Sequence, residues 1–287
     1  INEVEKYTAK SSVDSVRRDM IAEMEFPHPS LPEQKEIVQV LSDFNEHIDN
    51  LTELIEKKKA IRDGALEDLV SGRTRVNGFD GKWEEKTLKE LCYLITKQTG
   101  FDYSAEIKPS LVINKQADVL PFIQNKDFEK CSVNYNTDFY IPEIVAEKYP
   151  RILLDDVCML ISISGRIGNV GVFDNKQKAF AGGAVGIAKF YEPKLAIWCM
   201  YSLMSKESQE QIFKHEKVGA QHNLTVADVR KLIIKIPSND DERDFIINTI
   251  LCLDDEIQAL ETEKVKMLDI REGAMDDLLT GRVRLKI

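Results

Sequence analysis

The segment IRDGALEDLVSGRTRV occupies residues 61–76, and the segment IREGAMDDLLTGRVRL occupies residues 270–285. Nine of the sixteen aligned positions are identical at a constant offset of 209. Extended backwards without a gap, the same alignment pairs residues 37–61 with residues 246–270. An internal repeat indicates that one structural unit is used twice, and it divides the chain into two similar segments and the sequence around them.

Both copies of the repeat have the apolar spacing of a long helix. In each copy the apolar residues recur at intervals of four and three, which is the seam of a coiled coil. The predicted helix–helix packing residues are Ile37, Leu41, Phe44, Ile48, Leu51 and Ile55 in the first copy and Ile246, Ile250, Leu253, Ile257 and Leu260 in the second. Two such helices in one chain are expected to pair antiparallel, although the periodicity equally allows each to pack on a globular core.

The ends of both helices can also be read from the sequence. Ser30 precedes the first helix, and Ser238 together with Asp240 opens the second, as N-caps and acidic first turns require. Gly72 and Gly281 follow the last apolar turns, where a left-handed C-cap belongs.

A second pair of glycines, Gly64 and Gly273, lies inside the predicted helices, where each costs about 1 kcal/mol relative to alanine. We expect close backbone approach between the helices at these two positions, with a tolerated local kink as the alternative.

Composition limits the class of protein. The chain has 287 residues, 43% of them hydrophobic, so it can bury a sizeable core. Its five cysteines form no C-x-x-C pair, which favours a reducing cytoplasm, and no apolar run is long enough for a membrane span. The formal charge is −10, but residues 77–238 hold 21 Lys/Arg against 20 Asp/Glu. The acidity therefore lies in the segments that carry the repeat, and the middle segment is free to bind an anion.

The middle segment reads as a mixed α/β domain. Apolar runs of strand type at 110–114, 151–164, 169–174 and 183–190 are followed by a helical pattern at 195–215. Residues 12–29 resemble residues 225–238, the end of this domain, so the N-terminal segment looks like the tail of an earlier copy. We predict an α+β protein, a mixed α/β domain flanked by two long helices that form an antiparallel coiled coil. Its predicted parts are a domain tail (1–29), a spacer helix (30–76), the full domain (77–238) and a second spacer helix (239–287).

This arrangement resembles the specificity (S, HsdS) subunit of type I restriction–modification systems, with an incomplete first target-recognition domain. Four motifs carry the resemblance over nearly the whole chain: LPEQKEI (31–37), GALEDLVSGRTRV (64–76), NGFDGKWEEKTL (77–88) and GAQHNLTVADVRKLIIKIPS (219–238). The resemblance implies that each recognition domain reads one half of an interrupted DNA site and that the helices set the distance between the halves. The truncated first domain leaves two interpretations open, a piece of a two-domain subunit or a half-subunit that pairs with a second copy of itself.

The resemblance also implies the partners. The subunit would bind double-stranded DNA and position type I methyltransferase (M) subunits and restriction (R) subunits, and it would catalyse nothing itself. S-adenosylmethionine, Mg²⁺ and ATP are expected on those partners, with no cofactor, metal or membrane association for this chain. The DNA sequence recognised and the spacer length between half-sites are not encoded in any motif.

Recognition needs basic and amide side chains on exposed loops, because Lys and Arg suit phosphate or guanine and Asn and Gln suit adenine. Four loops offer them. The candidate DNA-binding residues are Lys97, Gln98, Thr99, Tyr103, Gln124, Asn125, Lys126, Ser162, Ser164, Arg166, Asn169, Gln221, His222 and Asn223. The alternative is that the glycines of these loops serve turn geometry and that the polar residues are ordinary surface.

Enzymatic functions find little support. The loop SGRIGNVG lacks the frame and the lysine of a phosphate-binding loop, and the chain has neither a G-x-S-x-G elbow nor an H-E-x-x-H motif. His215 and His222 have no ligand partner at suitable spacing, so we predict no metal site and no catalytic residue. The alternative function is a coiled-coil protein-interaction scaffold without DNA binding.

Overall fold

A computed structural model describes residues 18–22, 27–214 and 223–286. The chain divides into two compact units, one of residues 1–60 with 254–287 and the other of residues 61–253. We call these the helical unit and the recognition unit. The boundaries fall inside the two long helices, so the recognition unit takes in more of both helices than the predicted domain 77–238.

Two helices of 40 residues each correspond to the two copies of the repeat, Leu31–Val70 and Asp240–Leu279. The backbone N–H of Gln34 donates to the Ser30 carbonyl, which opens the first long helix as predicted. At the second long helix the cap is Asn239, whose side-chain oxygen accepts from the N–H of Asp241 at 2.8 Å. The predicted cap, Ser238, lies one residue too early.

The helical unit confirms antiparallel pairing. Lys58 Nζ lies 2.6 Å from Glu256 Oε1, and Arg271 Nη1 donates to Asn45 Oδ1 at 3.1 Å. Residue numbers therefore fall along one helix as they rise along the other. The seam residues that the helical unit buries are Ile37, Ile48, Leu51, Ile55 and Ile257, while Leu41, Phe44 and Leu260 are half-buried.

Two predicted seam residues belong to another core. Ile246 and Ile250 are fully buried, but they pack in the recognition unit with residues of its sheets and helices. Half-buried Leu253 ends the same unit. The periodicity located the buried face of the helix correctly, but it did not distinguish which neighbour covers each turn.

The expected close approach at Gly64 and Gly273 is not found. Among the described residues, nothing outside the helix itself lies within 4 Å of the position that a Cβ would take at either glycine. By contrast, Gly72 and Gly281 both adopt φ of +72°, the left-handed conformation expected of a C-cap. The repeated glycines therefore fall into two classes, two that end helices and two that face open space.

Two arginine–glutamate pairs each join an arginine of one copy of the repeat to a glutamate of the other copy. In the recognition unit Arg75 donates through Nε and Nη2 to the two oxygens of Glu242, at 2.8 and 2.9 Å. In the helical unit Arg284 donates in the same way to Glu33, at 2.6 and 2.5 Å. Both pairs occupy the same positions of the repeat, since 75 and 284, like 33 and 242, differ by 209. Each glutamate is buried, and each arginine follows the other long helix, which fixes the register of the pair.

Between the long helices, the recognition unit contains twelve strands among its described residues. The strands are β1 (Trp83–Thr87), β2 (Cys92–Lys97), β3 (Val119–Ile123), β4 (Phe128–Glu129), β5 (Ser132–Val133), β6 (Tyr140–Pro142), β7 (Leu153–Leu154), β8 (Cys158–Ser162), β9 (Val170–Phe173), β10 (Ala179–Ala181), β11 (Val185–Phe190) and β12 (Ile233–Pro237). They form four-stranded sheets in the orders β6-β3-β10-β7 and β2-β11-β8-β9, with the smaller pairs β1-β12 and β4-β5. Among the strands of the described residues, only β3 and β10 are parallel neighbours, and the other paired strands are antiparallel.

Short helices connect the strands. Their bounds are Leu88–Leu91, Gly100–Asp102, Lys108–Ser110, Glu143–Ala146, Leu195–Met204, Lys206–Lys214 and Val226–Lys231, with a π-helical turn at Tyr103–Ile107 and an N-terminal helix at Arg18–Ala22. The predicted helix 195–215 is thus broken at Ser205, and the predicted strand 110–114 is only an isolated bridge at Val112. Thr225 caps its helix as expected, in a capping box with Asp228.

The Glu33–Arg284 pair predicts a pH dependence of stability. Hydrogen bonds from the Arg284 guanidinium hold the pKa of the Glu33 carboxyl below its usual value of 4.5. A carboxyl with a lowered pKa in the folded state contributes stability above its unfolded pKa, and the contribution is lost as pH falls through the folded pKa. The difference in unfolding midpoint between wild type and Glu33→Gln is therefore expected to be largest near neutrality and to shrink below about pH 4.5.

Urea unfolding of both proteins across this pH range measures the effect, with Glu36→Gln, an exposed glutamate in the same helix, as the control. A difference that does not change with pH would contradict the pairing.

Candidate nucleic-acid interface

The β8–β9 hairpin carries one of the predicted loops, residues 163–169. Its two glycines, Gly165 and Gly168, adopt φ of +76° and +81°. Residues with a Cβ rarely adopt this left-handed conformation, so the turn favours glycine at both positions. Arg166 lies between them and is exposed. The hairpin therefore presents a basic side chain at its tip while both strands are buried in the sheet.

Two asparagines attach the loop 124–126 to this hairpin. Asn125 Nδ2 donates to the Ser164 carbonyl at 2.6 Å, and Asn169 Nδ2 donates to the carbonyls of Asn125 at 3.3 Å and Phe128 at 3.0 Å. Both side chains were predicted to face DNA. Their amide groups instead satisfy backbone carbonyls, so these residues position the loops.

A third predicted loop reaches the same hairpin. Ser164 and Asn223 form an isolated β-bridge, and the N–H of Leu224 donates to the Ile163 carbonyl at 2.9 Å. Asn223 is exposed beside the hairpin. The other two candidates of this loop, Gln221 and His222, lie outside the described residues, as does His215.

The loop that follows β2 lies close to residues 182–184, which connect β10 to β11. Gln98 Oε1 is 3.0 Å from the position that a Cβ would take at Gly183. Tyr103 and Gln124 line one cavity of about 270 Å³ together with residues 182–184. The structure thus brings all four predicted loops into one region of the recognition unit.

Two of the candidates are buried and do not reach the surface. Ser162 is 0% exposed and Gln98 is 2% exposed, so neither contacts DNA in this conformation. Ser162 is the last residue of β8, and all five residues of this strand are buried. The amide atoms of Gln98 have no hydrogen-bond partner among the described residues.

Exposed groups remain at the rim of the region. The side chains of Lys97 and Arg166 are exposed and form no ion pair or hydrogen bond with any described residue, whereas Lys126 is paired with Asp138. Thr99 caps the short helix after it, accepting from the N–H of Asp102 at 3.1 Å. The two unpaired cations are the groups best placed to meet phosphate or a base edge.

Sequence reasoning overlooked Phe101, which is 82% exposed in the same loop as Lys97. The sequence feature that could have identified it is an aromatic residue between Gly100 and Asp102, in a loop that is mostly polar. Exposed aromatic rings beside basic residues stack on bases or wedge between base pairs in nucleic-acid complexes. Phe101 therefore joins the candidate interface.

Buried titratable groups in the unit serve the fold. Burial raises the pKa of Asp127, whose carboxylate accepts from the N–H of Gln124 at 2.8 Å and shapes that loop. Burial also raises the pKa of the Cys92 and Cys158 thiols to about 12, which leaves them unreactive. In the described part of the chain, no cluster of three or more His, Cys, Asp or Glu suits a metal ion. The described helices include none that is both long and apolar enough to cross a membrane.

Curated proteins of known class are similar to this chain over nearly its whole length. The putative type I restriction enzyme MjaX specificity subunit of Methanocaldococcus jannaschii is 25% identical over 98% of this chain and 65% of the relative. The type I restriction enzyme MjaVIII specificity subunit of the same organism is 25% identical over 97% of this chain and 67% of the relative. The chain spans about two thirds of the length of these relatives, and no protein-family model matches it.

Solved structures share the fold. The HsdS subunit from Thermoanaerobacter tengcongensis aligns with a TM-score of 0.51 at 16% identity, and the type I restriction–modification S subunit from M. genitalium with 0.56 at 16%. A chain from a study of complex assembly in the type I restriction–modification system aligns with 0.61 at 15%. These matches cover 96–98% of this chain and 68% of each structure. They confirm the predicted architecture of a mixed α/β region flanked by two long helices.

The positioning role of Asn169 is testable. Asn169→Leu removes the donor that two carbonyls share, and unsatisfied polar groups cost about 1–3 kcal/mol each when buried. We expect the variant to lower the unfolding free energy by roughly that amount. Asn114→Leu, at an exposed asparagine of the same unit whose side chain forms no hydrogen bond with a described residue, is the control for the change in side chain. Thermal or urea unfolding measures both, and equal stability of the Asn169 variant and wild type would contradict the role.

Proposed function

We propose that this chain, whose curated relatives are type I restriction enzyme specificity subunits, is the sequence-specific DNA-binding subunit of such an enzyme. Its recognition unit would read one half of an interrupted target site. The relatives support the specificity-subunit role, and the geometry of the recognition unit supports DNA reading.

The gathering of four loops is the observation that carries the proposal. Loops from distant parts of the sequence, around residues 98, 125, 166 and 223, meet at one region. Backbone and amide hydrogen bonds link the last three of these loops, and Gln98 of the first lies beside Gly183. The unpaired cations Lys97 and Arg166 lie there, although the chain as a whole carries −10. A surface that reads DNA needs this combination, since phosphate contacts supply affinity and base contacts supply specificity.

A rigid framework allows loops to discriminate bases. The hairpin that carries Arg166 connects two strands whose residues are all buried. Hydrogen bonds from Asn125 and Asn169 attach the neighbouring loop to this hairpin. A loop whose backbone is held this way loses little conformational entropy on binding, so more of the contact energy appears as affinity. Arg166 is the residue best placed to donate two hydrogen bonds to a guanine edge.

Methylation and cleavage would come from partner subunits. We propose that the long helices dock methyltransferase subunits, joined by restriction subunits in the complete enzyme, in the cytoplasm. S-adenosylmethionine, Mg²⁺ and ATP would bind to those partners.

The test compares DNA affinity of the double variant Lys97→Ala/Arg166→Ala with wild type, each in complex with the cognate methyltransferase subunit. Loss of two cationic contacts is expected to weaken binding roughly tenfold or more and to flatten its dependence on salt. Fluorescence anisotropy on a duplex that carries the target site measures both quantities.

Lys86→Ala is the matched control, because it removes one exposed lysine on β1, outside the four loops. Unchanged affinity of the double variant would contradict the proposed interface. If the wild-type chain forms a complex with the methyltransferase subunit but this complex binds no DNA, the alternative function, a coiled-coil scaffold for proteins, would be favoured.

A further inference from the structure

The burial of Gln98 has no explanation among the described residues. Its side chain is 2% exposed, and both amide atoms, Oε1 and Nε2, lack a hydrogen-bond partner there. A buried amide without partners lowers stability, whereas an apolar side chain of similar size would not. By contrast, the amide N–H groups of Asn125 and Asn169 donate to backbone carbonyls. An amide that is kept at a cost in stability indicates a hydrogen-bond partner that is not part of the folded chain.

The Gln98 amide lies at the wall of a cavity of about 270 Å³ in the recognition unit. The residues that line this cavity are Tyr103, Phe122, Gln124, Gly182, Gly183 and Ala184. Gln98 Oε1 is 3.0 Å from the position that a Cβ would take at Gly183, so a side chain at 183 would collide with the amide. A Cβ at Gly182 would lie 3.1 Å from the ring of Phe122. Two consecutive glycines therefore leave room for the amide and for the aromatic ring.

The lining of the cavity suits a planar heteroaromatic ring. Tyr103 and Phe122 supply two aromatic rings, and the half-buried Gln124 supplies a second amide. Bases that have left a duplex are held by stacking on such rings and by hydrogen bonds to their edges. The volume is below the ~300–1,000 Å³ of pockets for drug-sized ligands, so it fits one small ring system. A single nucleobase has this size and this chemistry.

A base reaches the cavity only by leaving the duplex. The edge of a stacked base stays at the protein surface, where a side chain with 2% exposure is out of reach. The cavity lies among the four loops of the candidate interface, next to exposed cations. Phe101, two residues before Tyr103, is 82% exposed. An exposed aromatic ring of this kind wedges between bases and stabilises a duplex that has been opened.

The wall that carries Tyr103 is held in place. Tyr103 begins the π-helical turn Tyr103–Ile107, whose last residue is fully buried. Tyr149 Oη donates to Glu106 of this turn at 2.7 Å. π-helical turns are rare and occur frequently at functional sites. The cavity is therefore formed before any ligand binds, which lowers the entropic cost of binding a base.

We propose that this cavity binds one base of the target site after that base has turned out of the duplex, and that the Gln98 amide hydrogen-bonds to its edge. This inference rests on the proposed function and adds to it a specificity-determining residue. The base is read by this chain itself, so it differs from a base that a partner subunit would methylate.

Gln98→Leu tests the proposal, because leucine has a similar size and lacks both amide atoms. The variant is expected to unfold at the same temperature as wild type or higher, since no unpaired amide remains buried. In complex with the cognate methyltransferase subunit, it is expected to bind the target duplex about tenfold more weakly. Gln177→Leu, at an exposed glutamine in the turn between β9 and β10, is the matched control and should change neither quantity.

A set of duplexes, each lacking one base of the half-site, identifies the base that enters the cavity. At one position, removal of the base is expected to abolish the difference between Gln98→Leu and wild type, because the amide then has nothing to contact. Removal of the base that pairs with it is expected to tighten wild-type binding, since extrusion no longer breaks a base pair. Fluorescence anisotropy measures all of these affinities.

Equal affinity of Gln98→Leu and wild type for the intact duplex would overturn the proposal and leave the proposed function intact. A difference that persists on every duplex with a missing base would overturn it as well. Weaker wild-type binding when the paired base is missing would show that the base is read within the stack, against the proposal. A melting temperature of Gln98→Leu clearly below that of wild type would show that the amide serves the fold, which would also overturn it. A wild-type complex that binds no target duplex would overturn both the proposal and the proposed function.

Discussion

Each long helix buries one glutamate of its first turn, and an arginine that follows the other long helix neutralises it with two hydrogen bonds. A buried carboxylate without such a partner costs several kcal/mol. Antiparallel pairing in one register lets each glutamate meet its arginine. The direction of the helices, their register and the offset of the repeat therefore all depend on these two pairs. Glu242 also accepts a hydrogen bond from the indole N–H of Trp83 at 3.3 Å. The first strand of the recognition unit is therefore attached to the same pair.

In the proposed interface, the residues that hold the loops differ from the residues that would contact DNA. Buried strands fix the hairpin, and Asn125 and Asn169 use their amides on backbone carbonyls, so the loops are held by groups that are not themselves available to DNA. The exposed cations Lys97 and Arg166, with the ring of Phe101, are then presented on a prearranged surface. Such a division allows loop side chains to change without loss of the core.

The sequence predicted the long helices well, because a spacing of four and three sustained over many turns has few other interpretations. The four loops that it selected lie together in the structure, and glycines and polar residues between apolar strands mark them in the sequence. It failed where a side chain's direction depends on tertiary packing: Ser162 and Gln98 are buried although neighbouring residues are exposed. At Gly64 and Gly273 it predicted close approach within the chain, because a repeated glycine looks the same whether its contact is internal or external.

The central claim is that the recognition unit reads one half of an interrupted DNA site, and the most direct measurement is the methylated motif. Single-molecule sequencing of DNA from cells that express the chain with its cognate methyltransferase subunit would map this motif. The same map would be made for a loop variant in which the exposed residues Lys97, Phe101 and Arg166 carry different side chains. The account predicts a motif in two parts separated by a fixed gap, with the loop variant altering the bases read by its own domain and leaving the gap unchanged. A continuous motif, or one that the loop variant leaves the same, would contradict it.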